Sequence, residues 1–367
     1  MGSRFIGIGD EKKIKMEFHG RGFLTRTILF SFFLSGLFGW VCGNIAWGNE
    51  SPELHLGSSG KTWVVAGDGT GQFASIQEAI DQADSGDTIF IKPGRYEEDV
   101  TVHSKDGLKV VGAGMEQVLI AGLNRVGTLH IGKWPYGATN VEISGMTIQQ
   151  HGGLGVGIFN GGGILLKNIR VNGLVFGQQV QNVRIENCVV GGSETTGMAF
   201  ADSQATLKAN IIHDNDHGVT VGGTSSVRLE RNIITRSLFE AVLVTDKGQA
   251  ILVRNTLVKN GGGARFQDET SGELQGNIIV GAKVGLVLSD KTQATLSYNA
   301  LYDNGTDYQV GGLTTTDPHG QSTHPTDVHG PPGFVAPDRG DYRLKANSPL
   351  LHVGTFPFLG ALPPVQD

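Results

Sequence analysis

"VRLERNIIT", residues 227–235, is one of five short segments that repeat along the second half of the chain. Each segment has a leucine three residues before an asparagine and a short apolar run after it. The other four are "ATLKANIIH" (205–213), "AILVRNTLV" (250–258), "GELQGNIIV" (272–280) and "ATLSYNALY" (294–302). The repeated asparagines, which recur at an almost constant spacing, are Asn210, Asn232, Asn255, Asn277 and Asn299. The step from Asn232 to Asn255 is longer than the other three by a single position.

A repeat of this length with two or three short strands and no helix cannot bury its apolar face alone. Stacking successive coils solves this problem, because each coil pairs with the next through parallel β-ladders. Leucine-rich repeats have a similar period, but they need a different leucine and asparagine pattern and usually a helical return. The sequence therefore predicts an all-β fold, a single-stranded right-handed parallel β-helix with coils of about 22 residues.

Two polar columns follow from stacking. The repeated asparagines should form an internal ladder and tolerate the left-handed backbone of a sharp bend. Asn168 and Asn187 extend the pattern upstream with shorter spacing, and Gly145 replaces the asparagine in the segment before them. The second column comprises four aspartates, for which turn hydrogen bonding is the simpler explanation and a Ca²⁺ stripe the alternative. They are Asp202, Asp246, Asp268 and Asp290.

The N-terminal segment, residues 1–48, predicts an export signal with an extended n-region. Arg21 and Arg26 precede the apolar run "ILFSFFLSGLFGWV" (28–41), and the small residues of "AWG" (46–48) suit cleavage. An apolar run of this length fits a signal core better than a membrane span, which needs about 20 residues. The alternative is an uncleaved anchor, which would be the chain's only membrane contact. The location is then extracytoplasmic, either periplasmic or secreted.

Charge and cysteine content limit the classes of partner and the covalent cross-links that this chain can have. Without residues 1–48 the chain holds 23 Lys and Arg against 32 Asp and Glu, a net charge of −9. This balance argues against nucleic acid as a partner but leaves an acidic polysaccharide possible through a local basic groove. Cys188 is then the single cysteine, so no intrachain disulfide can form.

The segment "ASIQEAIDQADSG" (74–86) predicts an amphipathic helix that caps the open edge of the first coil. Ser75 and Glu78 form a capping box at its start. We expect a β-helix domain with this N-terminal cap over residues 61–310, and a loop-rich C-terminal tail and cap over residues 311–367.

The opening "VVAGDGTGQFASIQEAIDQADSGDTIFIKPGRYEEDVTV" (64–102) resembles that of pectin methylesterases and of the wider pectin-lyase-like β-helix superfamily. The segment "GFVAPDRGDYRLKANSPLLHVG" (333–354) is similar to the tail of many secreted bacterial β-helix proteins. The resemblance implies the fold, but not an activity, because this superfamily contains lyases, hydrolases, esterases, epimerases and non-catalytic proteins. The paired-aspartate blocks of pectin methylesterases have no match here. "DPHG" (317–320) resembles the Asp-Pro-His-Asp motif of alginate epimerases, with Gly320 in place of the last acid.

The stretch "NIIHDNDHGV" (210–219) contains the candidate site, in a turn between two strands of the repeat. Residues at equal positions of stacked coils lie about 4.8 Å apart. Asp214 should therefore lie next to Arg236, Arg236 next to Lys259, and His217 near Glu240. Candidate catalytic residues are Asp214, Asp216, His217 and His213. Candidate substrate-binding residues are Arg236, Lys259 and Glu240.

These residue types suit proton transfer beside a sugar acid, because carboxylates or histidines exchange the proton and basic side chains neutralise a uronate. An ordinary polar turn of the repeat is the simpler explanation for them, and no metal ligand set is assigned. We expect a protein that binds or processes a polysaccharide, as a lyase, a glycoside hydrolase or an epimerase if it is catalytic. The alternative is a non-catalytic periplasmic or surface scaffold, an assembly factor or an adhesin.

The order of basic and apolar residues in the first segment makes one prediction. N-terminal sequencing of the exported protein should begin near Asn49. Full-length protein in the membrane fraction would instead support the anchor.

Overall fold

The chain forms three parallel sheets, because strands at equal positions of successive coils pair with each other. The computed structural model describes residues 60–365, except residues 125, 134, 312 and 315–324. In sheet 1, Leu207 lies opposite Leu229, and Leu229 lies opposite Leu252. The predicted parallel β-helix with coils of about 22 residues is confirmed.

The strand bounds are as follows. Sheet 1 contains Thr62–Val65, Thr88–Ile91, Lys109–Gly112, Glu142–Ser144, Leu165–Lys167, Val183–Glu186, Gln204–Lys208, Ser226–Glu230, Gln249–Val253, Ser271–Gln275 and Gln293–Ser297. Sheet 2 contains Gly94–Glu97, Val118–Ala121, Val189–Gly191, Ile211–His213, Ile233–Thr235, Thr256–Val258, Ile278–Val280, Ala300–Tyr302 and Val328–His329. Sheet 3 contains Val100–Val102, Leu129–Ile131, Thr196–Ala201, His217–Gly222, Glu240–Val244, Gly262–Phe266, Val284–Leu288, Thr306–Val310 and the antiparallel Leu313–Thr314. The long strands Thr147–Phe159 and Arg170–Gln178 run through both sheet 2 and sheet 3.

The core lies inside the coils, where side chains of the same type stack on one another. Leu207, Leu229, Leu252 and Leu274 are fully buried, which explains the leucine three residues before each asparagine. Alternation along each strand sends every second side chain inward. The sequence pattern of the repeat is therefore the pattern of this core.

The repeated asparagines form a buried ladder, as predicted. Asn232 donates from both its backbone N–H and its Nδ2 to Oδ1 of Asn255, at 2.9 and 3.0 Å. Nδ2 also donates to the carbonyl of Leu207 at 2.9 Å. The same three bonds recur from coil to coil between Asn210 and Asn299, and Asn232, Asn255 and Asn277 are each 0% exposed.

The sequence predicted that the ladder asparagines themselves adopt the left-handed backbone of the bend. This prediction was wrong by one position. The residues with φ near +55° immediately precede the ladder, such as Ala209, Arg231 and Arg254. Asn187 occupies that bend position too, opposite Ala209, because Glu186 pairs with Lys208. Asn168 precedes Asn187 in the same column, and both asparagines are exposed.

The two ends of the ladder involve residues other than asparagine. Cys188 takes the ladder position at the upstream end and donates its backbone N–H to Oδ1 of Asn210 at 2.9 Å. At the other end, Asp327 accepts the backbone N–H of Asn299 at 2.8 Å. The ladder therefore ends on the backbone N–H of a buried cysteine at one side and on a carboxylate at the other.

Helix α1 (Ile76–Gln82) lies at the N-terminal end of the described chain and is shorter than the predicted segment. Its buried residues are Ile76, Ala79 and Ile80. Ser75 caps the helix by accepting the N–H of Glu78, but the carboxylate at this end comes from Glu98 rather than Glu78. Glu98 accepts the N–H groups of Ile76 and Gln77 at 2.8 and 3.0 Å, so a residue of the next turn completes the cap.

The C-terminal tail packs on the outer face of sheet 2. It contains Phe334–Ala336, a 3-10 turn at Pro337–Arg339, Asp341–Leu344, Leu351–Val353 and Phe356–Phe358. A second apolar cluster joins tail residues such as Leu344 and Leu359 to Ile233, Ile278 and Ala300. The tail therefore buries outward-facing residues of four successive sheet 2 strands, whereas Ile211, one coil earlier, is 42% exposed.

The ladder predicts a stability defect. Asn232→Ala removes one buried amide. The backbone N–H of Asn210 then loses its acceptor, and Oδ1 of Asn255 loses one of its two donors, which should lower the free energy of unfolding by about 1–3 kcal/mol. Denaturant unfolding monitored by circular dichroism measures it. Exposed Asn172→Ala is the control, and an equal loss in both variants would contradict a special role for the ladder.

Candidate functional site

The polar turn joins strand Ile211–His213 of sheet 2 to strand His217–Gly222 of sheet 3. Asp214 has a φ of 55°, and the same left-handed conformation recurs at Arg236 and Lys259. These residues occupy equal positions in successive coils, as expected. The stacked bend aligns their Cα–Cβ bonds, so side chains of opposite charge meet along the column.

Asp214 and Arg236 form a two-pronged ion pair. Nε and Nη2 of Arg236 donate to Oδ1 and Oδ2 of Asp214, both at 2.7 Å. Nδ1 of His213 lies 2.7 Å from the same Oδ2. The hydrogen bond from Arg236 lowers the pKa of Asp214 to about 2. Both carboxylate oxygens are thus engaged, and Asp214 stays ionised across the physiological pH range.

Glu240 bridges two cationic or polar partners beside the turn. Its Oε1 accepts a hydrogen bond from Nε of Arg265 at 2.6 Å, and its Oε2 lies 3.3 Å from Nδ1 of His217. Burial acts to raise the pKa of Glu240, but His217 and Arg265 outweigh it and lower the pKa to about 2. The expected proximity of His217 and Glu240 is present, and Arg265 is a partner that the sequence analysis missed.

Asp216 differs from these two carboxylates. Burial raises the pKa of Asp216, His217 acts in the opposite direction, and the negative charge of Glu194 raises the pKa further. Of the two aspartates that the sequence analysis selected, Asp216 therefore has the environment that favours proton uptake, whereas Asp214 is held as a carboxylate by arginine.

Two exposed apolar residues, which the repeat pattern does not predict at the site, also border the turn: Leu238 and Phe239 are 65% and 49% exposed. The ring of Phe239 stacks at a tilt of 31° on that of His217, with centroids 5.2 Å apart. The sequence does indicate an insertion here, because the step from Asn232 to Asn255 is one residue longer than the other steps of the asparagine series. Strand pairing changes by one position between Ile234 and Glu240, so the extra residue lies in this turn.

Tail residues border the turn. Nζ of Lys259 donates to Oδ1 of Asp338 at 3.1 Å, and the hydroxyl of Tyr342 lies 3.5 Å from that of Thr235. Lys259, which the sequence predicts to bind substrate, lies against a carboxylate of the protein in this structure. The polar patch, as used below, comprises His213, Asp214, Asp216, His217, Arg236, Leu238, Phe239, Glu240, Lys259 and Arg265.

The aspartates of the second column accept backbone N–H groups from turns of the neighbouring coils, so the expectation of short-range bonding within their own turn was wrong. Oδ1 of Asp202 accepts from the N–H of Thr224 at 2.9 Å, and Oδ2 of Asp246 accepts from the N–H of Gly223 at 2.9 Å. Asp246, Asp268 and Asp290 line an open groove of about 910 Å³ together with Lys247 and Lys291. Within residues 60–365, apart from residues 125, 134, 312 and 315–324, no three His, Cys, Asp or Glu side chains are grouped to hold a metal ion. The "DPHG" motif lies outside the described residues, as does the predicted export signal.

The fold and the stacked-coil site define a member of the pectin-lyase-like parallel β-helix superfamily. Residues 62–150 match the pectinesterase family, in agreement with the resemblance of the opening segment. Residues 136–319, half of the chain, match the family described as periplasmic copper-binding protein (NosD). The chain belongs to this NosD family.

Solved structures agree on the fold. Pectate lyase Pel9A is 14% identical, with a TM-score of 0.52 over 84% of this chain and 97% of that chain. The alginate lyase from Paenibacillus sp. str. FPU-7 is 13% identical, with a TM-score of 0.50 over 68% of this chain and 99% of that chain. No curated protein matches the sequence. At this identity the similarity extends to the β-helix and no further.

The described residues do not fit a copper site of the kind the family description implies. Copper favours thiolate, thioether and imidazole ligands. Cys188 is buried, and burial raises the pKa of its thiol to about 11, while Met146 and Met198 are fully buried in the core. His213 and His217 contact Asp214 and Glu240. The sulfur donors and these imidazoles therefore form no shared ligand set in this part of the chain.

Across the described residues, no helix has both the length and the apolar character required to cross a membrane.

The environment of Glu240 predicts pH-dependent stability. Its folded-state pKa lies below the ordinary value of 4.5, so its stabilising contribution is present above pH 4.5 and is lost as the pH falls toward about 2. Glu240→Gln should cost at most about 3 kcal/mol at pH 7, and less at pH 3. Urea unfolding at the two pH values tests this. Substitution of the exposed Glu269 by Gln is the control. If Glu240→Gln lowers the free energy of unfolding by the same amount at pH 3 as at pH 7, the ion-pair explanation is contradicted.

Proposed function

We propose that this protein binds a polysaccharide at the polar patch without cleaving it. The observation that carries the proposal is the half-exposed Phe239, whose ring stacks on His217, the imidazole that also contacts the ion-paired Glu240. A pyranose ring presents an apolar face of C–H groups and a rim of hydroxyls. An aromatic face beside fixed hydrogen-bond acceptors matches both parts of such a ligand.

The carboxylates support binding because their acceptor oxygens are fixed in place. Asp214 is held by Arg236, and Glu240 is held by Arg265 and His217. An ionised carboxylate accepts strong hydrogen bonds from hydroxyl groups, and a side chain that is already ordered loses little entropy on binding. Phe239 and the two carboxylates together supply stacking and polar contacts on one surface.

The same ion pairs disfavour turnover. A hydrolase needs a protonated acid opposite a free carboxylate, and a lyase needs a base beside a free cation. Both oxygens of Asp214 are occupied, and the pKa values of Asp214 and Glu240 of about 2 keep them ionised. Proton transfer at this patch would therefore fall to Asp216 and His217, without a free nucleophile from Asp214.

The family membership supports a periplasmic location, because the family is described as periplasmic. This agrees with the predicted export signal of residues 1–48. The family also favours a second candidate function, a non-catalytic scaffold or assembly factor in the same compartment. In that function the polar patch would contact a protein instead of a glycan.

The experiment is a binding assay with the exported chain and immobilised polysaccharides. Phe239→Ala should weaken binding about fivefold or more, because stacking and burial of an aromatic ring contribute on the order of 1–3 kcal/mol. The length of the polymer, measured by size-exclusion chromatography, should not change during incubation.

Tyr136→Ala is the matched control, since Tyr136 is an exposed aromatic residue, 59% accessible, in an N-terminal coil. If both substitutions weaken polysaccharide binding equally, the polar patch is not the binding site. A polymer that becomes shorter during incubation would show that the protein cleaves it, which contradicts binding without cleavage. If no polysaccharide binds, the scaffold becomes the better proposal.

A further inference from the structure

We propose that the polar patch selects an uncharged polysaccharide over a polyuronate. This inference rests on the proposed function above, and it specifies the class of ligand. It differs from the expectation drawn from the sequence, in which Arg236 and Lys259 would hold a uronate. The structure assigns those cations to carboxylates of the protein itself.

Arg236 is the clearest case. Two of its guanidinium nitrogens donate to the two oxygens of Asp214 at 2.7 Å each, the parallel geometry by which arginine also binds a uronate carboxylate. Asp214 therefore occupies the place that a sugar acid would take. A uronate could bind Arg236 in this way only by displacing Asp214, which exchanges one carboxylate for another with no electrostatic gain.

The other two basic side chains of the patch also form ion pairs with carboxylates of the protein. Nε of Arg265 donates to Glu240 at 2.6 Å, in a site where the Glu240 side chain is only 16% exposed. Nζ of Lys259 donates to Asp338 of the tail at 3.1 Å. Each of the three basic side chains thus faces its own acid, and Asp216 adds a further carboxylate to the patch.

The overall charge acts in the same direction. The chain carries a net charge of −6, and the three acids of the polar patch balance its three basic side chains. A polyanion therefore gains no local attraction and meets the repulsion of the whole chain, which salt screens only beyond about 8 Å. Uncharged hydroxyls have no such cost. They can donate to the carboxylates while every ion pair stays intact, and the sugar face can still stack on Phe239.

The test compares purified polygalacturonate and alginate with uncharged glucan, galactan and mannan, at low and at high NaCl concentration. The wild type should bind at least one uncharged polymer and should bind both polyuronates at least tenfold more weakly. Asp214→Asn releases Arg236 and keeps a residue that tolerates left-handed backbone. This variant should gain about fivefold in polyuronate affinity at low salt, and the gain should vanish at high salt.

Asp303→Asn is the matched control, because Asp303 has the same left-handed conformation, with a φ of 55°, and the substitution removes the same charge farther along the column. A gain in Asp303→Asn equal to that in Asp214→Asn would overturn the role of the ion pair. Salt-sensitive binding of polyuronates by the wild type, reduced by Phe239→Ala, would overturn the selectivity but keep the proposed function. If no polymer binds and Phe239→Ala changes nothing, the proposed function fails together with this inference.

Discussion

The structure depends on a buried chain of side-chain amides that only the neighbouring coils can satisfy. Each of the three inner amides of the ladder, such as that of Asn255, receives two bonds from the coil before and gives one to the coil after, while also reaching back to a carbonyl. A coil that slipped by one position would bury unpaired donors and acceptors, at about 1–3 kcal/mol each. The ladder therefore specifies register as well as adding stability.

Register in the interior determines chemistry at the surface. Because the ladder aligns the coils, the bend that follows sheet 2 repeats its left-handed conformation at Asp214, Arg236 and Lys259. Side chains at that bend are forced to face one another at the spacing of a β-ladder. The ion pair between Asp214 and Arg236 is therefore a consequence of the stack, and so is the loss of Arg236 as a free cation.

Two irregularities shape the polar patch. One extra residue between Ile234 and Glu240 places Leu238 and Phe239 in solvent, next to the stacked ion pairs. The C-terminal tail then covers the outer face of sheet 2 up to Thr235 and contributes Asp338 to Lys259. The patch lies where the covered face gives way to the open face.

The sequence by itself determined the fold, because a leucine and an asparagine that recur at an almost constant spacing must share one environment in every coil. It also predicted that Asp214 meets Arg236 and that His217 meets Glu240, since equal positions stack. It misplaced Asn187 by one position, because bend and ladder positions are adjacent and both accept asparagine. Only the tertiary structure revealed the roles of Arg265, Phe239 and Asp338. Those contacts depend on rotamers, on a one-residue insertion and on a tail that is distant along the chain, and a repeat period carries no information about any of them.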